Sequence, residues 1–347
     1  MSTKAVVLFN LGGPDQISSV QPFLFNLFND KAIIDLPRPI RWLVAQLISR
    51  RRTLVAQNIY SKLGGSSPLL SETKRQAAAI EEKLGENWRV FVCMRYWHPF
   101  SIEIAQAVKQ YNPDQIVLLP LYPQYSTTTT ASALADWNYA IQKVGLQKPT
   151  EVIGCYPTLK GFIRAHSHLL RIALAESRYE MTDQRVLFSA HGLPVKVISS
   201  GDPYQWQVEE TASAIVKDLN EERLDWQVCY QSRVGPLEWI GPSTEDAIVR
   251  AGSEGKSLIV VPVAFVSEHS ETLVELDIDY KSLADASGVP SYNRVPALGV
   301  TTEFITALSD MACDNRQRGC NGVKGNQICP KRYHRCGCLG FQTLVNH

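Results

Sequence analysis

The residues best suited to chemistry crowd into one stretch, Ser257–Tyr280, which reads SLIVVPVAFVSEHSETLVELDIDY. Glu268, His269 and Glu271 come nearly together, and Glu275, Asp277 and Asp279 follow. On a helix, Glu271, Glu275 and Asp279 are spaced four apart and stack in one row. Like charges at that spacing repel, so the row costs stability unless it is solvated or meets a cation or protons. A solvated acidic face is the plain reading; a route for metal ions or protons is the sharper one. Position favours the second. The run just before, Leu258–Phe265, is short, apolar and valine-rich, as a strand buried on both faces of a parallel sheet is. Ligands of open parallel sheets bind beyond the carboxyl ends of such strands.

A second imidazole supports this. His191 directly follows the apolar run Arg185–Ser189, and the Gly192 to Pro194 turn keeps a helix from starting at once. A lone histidine is ordinarily structural. Two imidazoles ending strands of the same half, beside a carboxylate row, make a proton-handling or metal-handling site.

The elements that must position these groups alternate. Val6–Phe9, Trp88–Met94, Gln115–Pro120, Val152–Tyr156, Arg185–Ser189, Asp225–Tyr230 and Ser257–Phe265 read as strands. Helical patterns between them include Leu69–Leu84, Ile102–Tyr111, Leu159–Ser177 and Tyr204–Leu219. This predicts an α/β protein with a mainly parallel sheet in each half. We place the divisions at residues 1–160, 161–310 and a cysteine-rich extension, 311–347. No internal repeat is strong enough to argue duplication.

Other strand ends carry their own signals. Asn10–Pro14, NLGGP, suits a tight turn or close approach of a ligand to backbone, but it lacks the spacing of a dinucleotide loop. Cys93–Pro99 supplies Arg95, Tyr96, Trp97 and His98, and Leu121–Ser126 supplies two tyrosines. Arginine with aromatics at successive strand ends suits a flat, partly apolar ligand bearing acidic groups. Trp239, between two Gly-Pro turns, either walls a cleft or fills a core gap. Within Phe23–Arg52, the stripe Ile40, Leu43, Val44, Leu47 and Ile48 precedes Arg50, Arg51 and Arg52. It reads equally as a core-facing helix or as an apolar lip with a basic collar resting on an anionic membrane.

Composition sets the outer bounds. Of 347 residues, 45% are hydrophobic and 20% charged, as in a soluble globular protein, and the net charge of +1 offers no footprint for nucleic acid. No signal peptide or membrane-spanning run is evident, so a cytoplasmic location is expected. Cys93, Cys155 and Cys229 sit singly beside strands, where a buried free thiol is usual. The other five cysteines cluster near the end, which without an export signal suggests metal binding more than disulfides.

Taken together, FSAHGLP, AFVSEHSETLVELDIDY, NLGGP, GGSSPL, RYWHP, LYPQYS and QSRVGPLEWIGP resemble ferrochelatase, in the family's order, over about residues 5–310. The resemblance implies two Rossmann-like domains around a porphyrin cleft and insertion of Fe²⁺ into protoporphyrin IX, the last step of protoheme synthesis, without ATP. It implies that His191 accepts pyrrole protons or meets the metal, with Glu271 opposite. Glu268, His269, Glu275 and Asp279 would support that site or form a conduit, and Tyr60, Arg95, Tyr96 and Trp239 would hold the porphyrin. Residues 20–52 would be the family's apolar lip, with peripheral contact to the inner membrane. Ser270 departs from the apolar residue usual there.

Some members carry a 2Fe–2S cluster on a C-terminal extension. Here Cys329, Cys336 and Cys338 are the coherent candidates, completed by Cys313 or Cys320. Zinc with His334 and a ligand-free tail are the alternatives. Two other functions stay open: a coproporphyrin ferrochelatase, and a tetrapyrrole carrier that inserts no metal. Monomer and homodimer are equally open.

Overall fold

The computed structural model describes residues 2–233, 235–313 and 329–337. Cys320 and Cys338 lie outside them.

The chain divides into two compact units. The first runs to Cys155 and includes residues 309–313; the second runs from Tyr156 to Leu308 and includes Cys329–Cys336. Each unit holds one four-stranded sheet, and every pairing is parallel. In the first, β1 (Lys4–Asn10), β2 (Trp88–Met94), β3 (Gln115–Pro120) and β4 (Thr150–Val152) lie in the order β2-β1-β3-β4. In the second, β5 (Gln184–His191), β6 (Asp225–Gln231), β7 (Ser257–Pro262) and β8 (Tyr292–Arg294) repeat that order as β6-β5-β7-β8. The repeat that sequence does not reveal is a repeat of topology.

β1, β5 and β7 are buried nearly end to end, which is why they read as unbroken apolar runs rather than alternating ones. In each sheet the chain adds a strand on one side of β1 or β5, then crosses to the other side. Such a reversal is where open parallel sheets bind ligands, at the carboxyl ends of the central strands.

Most elements match the sequence reading, and the differences have local causes. The run expected as strand Ser257–Phe265 stops at Pro262, whose missing N–H cannot continue the ladder. The strand expected at Val152–Tyr156 is instead Thr150–Val152, with Ile153 N–H still bonded to Leu118 C=O at 2.9 Å. β8 was not foreseen: three residues, none apolar enough to signal a strand. The acidic segment forms a π-helix, Glu271–Tyr280, rather than an ordinary helical row.

The paired glycines of NLGGP serve packing. Gly12 has φ +86°, and a Cβ on Gly13 would sit 2.5 Å from the side chain of Ser67 in the GGSSPL loop. Ser67 N–H also donates to Pro14 C=O at 2.8 Å. The two motifs dock on one another at Gly13, where a side chain would collide with Ser67, while Gly12 packs against Met94 and Trp97.

Candidate active site

β5 ends on His191, and its Nδ1 lies 2.8 Å from Glu271 Oε2 at the start of the π-helix. Tyr204 Oη donates to the His191 carbonyl at 3.0 Å, fixing the residue from the other side. The His191 side chain keeps 39% of its surface exposed, so the ring is anchored yet open. With Nδ1–H turned to the carboxylate, the neutral ring holds its lone pair on Nε2, the atom left to take a proton. Burial opposes charging this ring, but the Glu271 carboxylate outweighs it, with help from Glu275, and holds the His191 pKa above its ordinary value. The reciprocal effect lowers the Glu271 pKa. Burial would raise its pKa, yet His191, His269 and the Ser232 hydroxyl bring it down to about 2.

His269 is in the opposite state. The main-chain N–H of Glu271 donates into His269 Nδ1 at 2.9 Å, so that nitrogen bears no proton and the neutral ring carries it on Nε2. Burial lowers the His269 pKa. The two imidazoles therefore differ: one is drawn toward charge, and the other is kept neutral.

Glu275 follows in the π-helix, a rare geometry found mostly at functional sites. Its Oε1 accepts from Ser232 N–H at 2.8 Å and from Tyr280 Oη at 3.0 Å, and its Oε2 accepts from Gln231 Nε2 at 3.0 Å. Despite these donors, burial and the nearby charge of Glu271 raise the Glu275 pKa. Asp279 ends the row at an exposed position. So the three carboxylates run from a paired site, through a buried group that holds protons more readily, to the surface.

Glu268 is held differently. Arg294 of β8 donates to its Oε1 at 2.8 Å and grips Asp277 with Nε and Nη2 at 2.5 and 2.8 Å. Ala297 N–H adds a further bond to Glu268 at 2.9 Å, and the Thr272 hydroxyl bonds its other oxygen. Burial is outweighed by the guanidinium, and the Glu268 pKa is lowered. Glu268 is thus bound into a clamp with Arg294 and Asp277. Trp239 lies beside the site: its backbone bridges Pro194, and a Cβ on Gly192 would meet its ring at 3.4 Å.

Tyr60, Arg95 and Tyr96 belong to the first unit. Tyr60 and Tyr96 are buried in one cluster with Val20, Phe23 and Leu24. Arg95, just past β2, donates to Asp30 Oδ2 at 2.9 Å and to Ser132 Oγ at 2.7 Å, with Asp136 at 3.6 Å. Tyr96 Oη bonds the same Asp30 oxygen at 2.8 Å. Burial would raise the Asp30 pKa, but Arg95 and these hydroxyls lower it. Asp30 and Ser132 were missed from sequence, because nothing in FNDKA or TTASA marks them as partners of a strand end.

The apolar lip needs correction. Val20–Phe28 is a helix whose Phe23 and Leu24 are core residues, with Leu27 and Phe28 packed against the same cluster. The exposed apolar groups lie further on: Ile33 and Leu36, then Ile40, Trp42, Leu43, Leu47, Leu54 and Val55 on the helix Arg38–Lys62. Leu43 keeps 62% and Leu47 52% of their surface in solvent. A core-facing stripe is thereby excluded for these positions. No described helix is long and apolar enough to cross a membrane.

Of the C-terminal cysteines, Cys313 is exposed at the end of its helix. Cys329 and Cys336 are buried with their sulfurs 3.2 Å apart, and Gln207 Nε2 donates to the Cys329 sulfur at 3.1 Å. The rings of Trp206 and Tyr333 lie tilted at 30° with centroids 5.9 Å apart, and the His334 ring covers Gly201, where any Cβ would collide with it.

The family model for ferrochelatase matches residues 3–316. The chain belongs to the ferrochelatase family. A ferrochelatase of Phenylobacterium zucineum is 50% identical over 344 residues, covering 98% of this chain and 99% of that protein. One from Pelagibacter ubique is 48% identical over 346 residues, with 98% and 99% covered. Among solved structures, SirB from Bacillus subtilis with Fe³⁺ superposes with TM-score 0.51 at 11% identity, covering 91% of this chain and 97% of that one, which is a likeness of fold. The ferrochelatase reaction is that of a lyase inserting Fe²⁺ into protoporphyrin in heme synthesis.

Proposed function

We propose that the protein inserts Fe²⁺ into protoporphyrin IX with His191 and Glu271 as its proton-accepting pair. The observation that carries this reading is the 2.8 Å bond from His191 Nδ1 to Glu271 Oε2 at the mouth of β5. Two pyrrole protons must leave before four nitrogens can bind the metal. An imidazole anchored by a carboxylate on one nitrogen offers the other as base, the arrangement that general acid–base and nucleophilic sites share. The protonated ring is stabilised by Glu271, and the carboxylates behind it attract the dication substrate. Loss of insertion with retained porphyrin binding in His191→Ala and Glu271→Gln is the test.

Arg95 is read as the porphyrin's carboxylate contact, and Tyr60, Tyr96 and Trp239 as shaping residues. Because Asp30 and Asp136 already neutralise Arg95, it positions a propionate more through hydrogen-bond geometry than through net charge. Tyr60 and Tyr96 act by packing, since both are buried.

The exposed row Ile40, Leu43 and Leu47, followed by exposed Arg50 and Arg51, supports peripheral contact of a cytoplasmic protein with an anionic membrane. Liposome flotation with and without anionic lipid tests it.

The residues we assign to a 2Fe–2S cluster are Cys329 and Cys336 with Cys338 and Cys313, Cys320 being the alternative to Cys313. Two buried thiols at 3.2 Å, one receiving an amide N–H, fit sulfur ligands whose charge an N–H donor offsets. When bound, the cluster would supply one-electron redox chemistry, whereas insertion leaves the oxidation state of the iron unchanged. Anaerobic purification yielding iron and inorganic sulfide in equal amounts supports the assignment; zinc alone contradicts it.

A further inference from the structure

We propose that Ser232 is a hydroxyl relay that carries a proton from Glu271 to Glu275. The inference rests on the reading of His191 and Glu271 as the proton-accepting pair. Ser232 stands directly past the end of β6, and its Oγ contacts both carboxylates, Glu271 Oε2 at 3.3 Å and Glu275 Oε2 at 2.5 Å. Glu271 Oε2 is also the atom bonded to His191, so the hydroxyl meets the oxygen on which a proton from the ring would arrive.

Holding Glu275 does not account for this hydroxyl. The Glu275 carboxylate already receives Tyr280 Oη, Gln231 Nε2 and the Ser232 main-chain N–H. A glycine would supply that N–H equally well. It would also suit the backbone better: Ser232 has φ +61°, a region that glycine enters freely and other residues seldom do. Strain of this kind persists where the surrounding structure holds it and concentrates at active sites. What serine adds over glycine here is a group that donates and accepts between two acids.

The step balances without any co-reactant. The O–H bond of protonated Glu271 breaks as the Ser232 oxygen takes that proton. The serine O–H breaks as Glu275 Oε2 takes the other, and the hydroxyl is neutral before and after. Order is set by geometry: Glu271 Oε2 faces His191 on one side and the Ser232 hydroxyl on the other, and Glu275 Oε2 lies beyond that hydroxyl. From Glu275 the row continues to exposed Asp279. The relay clears the His191–Glu271 pair for the second pyrrole proton.

The test is steady-state Fe²⁺ insertion by the full chain as Ser232→Gly, with Ser232→Ala as a second variant should glycine loosen the loop. Removing a proton-transfer group is expected to lower kcat by about 100-fold with the KM for protoporphyrin unchanged. Added imidazole, a small diffusible proton carrier, is expected to restore the variant's rate in proportion to its concentration while leaving the native rate alone. A native kcat in Ser232→Gly overturns the relay, and so does a loss that imidazole does not relieve. Glu271→Gln is measured alongside. Its collapse with a native rate in Ser232→Gly overturns the relay alone, and an undiminished rate in Glu271→Gln overturns the site reading beneath it.

Discussion

His191 Nδ1 and Glu271 Oε2 meet at 2.8 Å although the two residues are 80 positions apart, one ending a central strand and the other opening a π-helix. The pairing makes each group's protonation depend on the other, and the first prediction follows from that dependence.

In the native protein Glu271 holds the His191 pKa above the ordinary imidazole value against the effect of burial. Glu271→Gln removes the opposing charge and leaves burial, so the His191 titration followed by NMR is expected to fall. Because the base must be neutral to accept a proton, the native insertion rate rises with pH through the raised His191 value. The acid limb of any residual activity in Glu271→Gln therefore moves to lower pH. A limb that stays in place contradicts His191 as the base.

Arg294 is a stability residue. Arg294→Met leaves Glu268 and Asp277 without their cation; because both carboxylates are only partly buried, the loss falls below the roughly 3–5 kcal/mol of a fully buried pair, at about 1–3 kcal/mol. Urea unfolding is expected to show that loss. Arg294→Lys is expected to recover only part of it, since an ammonium cannot bond both carboxylates through a planar fork.

Asp30 should show its contribution in the pH dependence of folding. Its pKa is lowered in the folded chain, so the stability it adds is present above the unfolded carboxylate value of about 3.9 and is lost as pH falls through the folded one. Asp30→Asn is expected to cost about 1–3 kcal/mol at neutral pH. The native and variant curves then converge in acid. Protoporphyrin KM should rise as Arg95 loses its anchor, and equal gaps at all pH values would contradict the assignment.

Leu43→Asp and Leu47→Asp probe the exposed row. Because both side chains face solvent, the folded state should change by no more than about 0.5 kcal/mol. Binding to anionic liposomes is expected to weaken, and unchanged flotation would remove the membrane reading. Truncating Phe23 or Leu24 is not an equivalent test, since those residues are core and their loss would unfold the helix packing.

The strands that bear the site were legible because burial on both faces makes apolar runs, and polar residues just past such runs stand out. His191 and Glu271 stand out in that way. Ser232, Asp30 and Arg294 do not, because each works through a partner far along the chain and carries no local signature. The four-residue spacing of the acidic row gave its direction but not its π-helical form, and not that Arg294 clamps Glu268. The apolar content of residues 20–52 was plain, but which part is core and which exposed depends on the Tyr60 and Tyr96 cluster that fills the inner face.

The most direct measurement is anaerobic insertion of Fe²⁺ into protoporphyrin IX by the native chain, His191→Ala and Glu271→Gln, with porphyrin binding followed by fluorescence in the same samples. Turnover by the native chain that falls by about 100-fold or more in both variants, with porphyrin still bound, is the predicted result. Native-like turnover in either variant would contradict the pair as the proton-accepting centre.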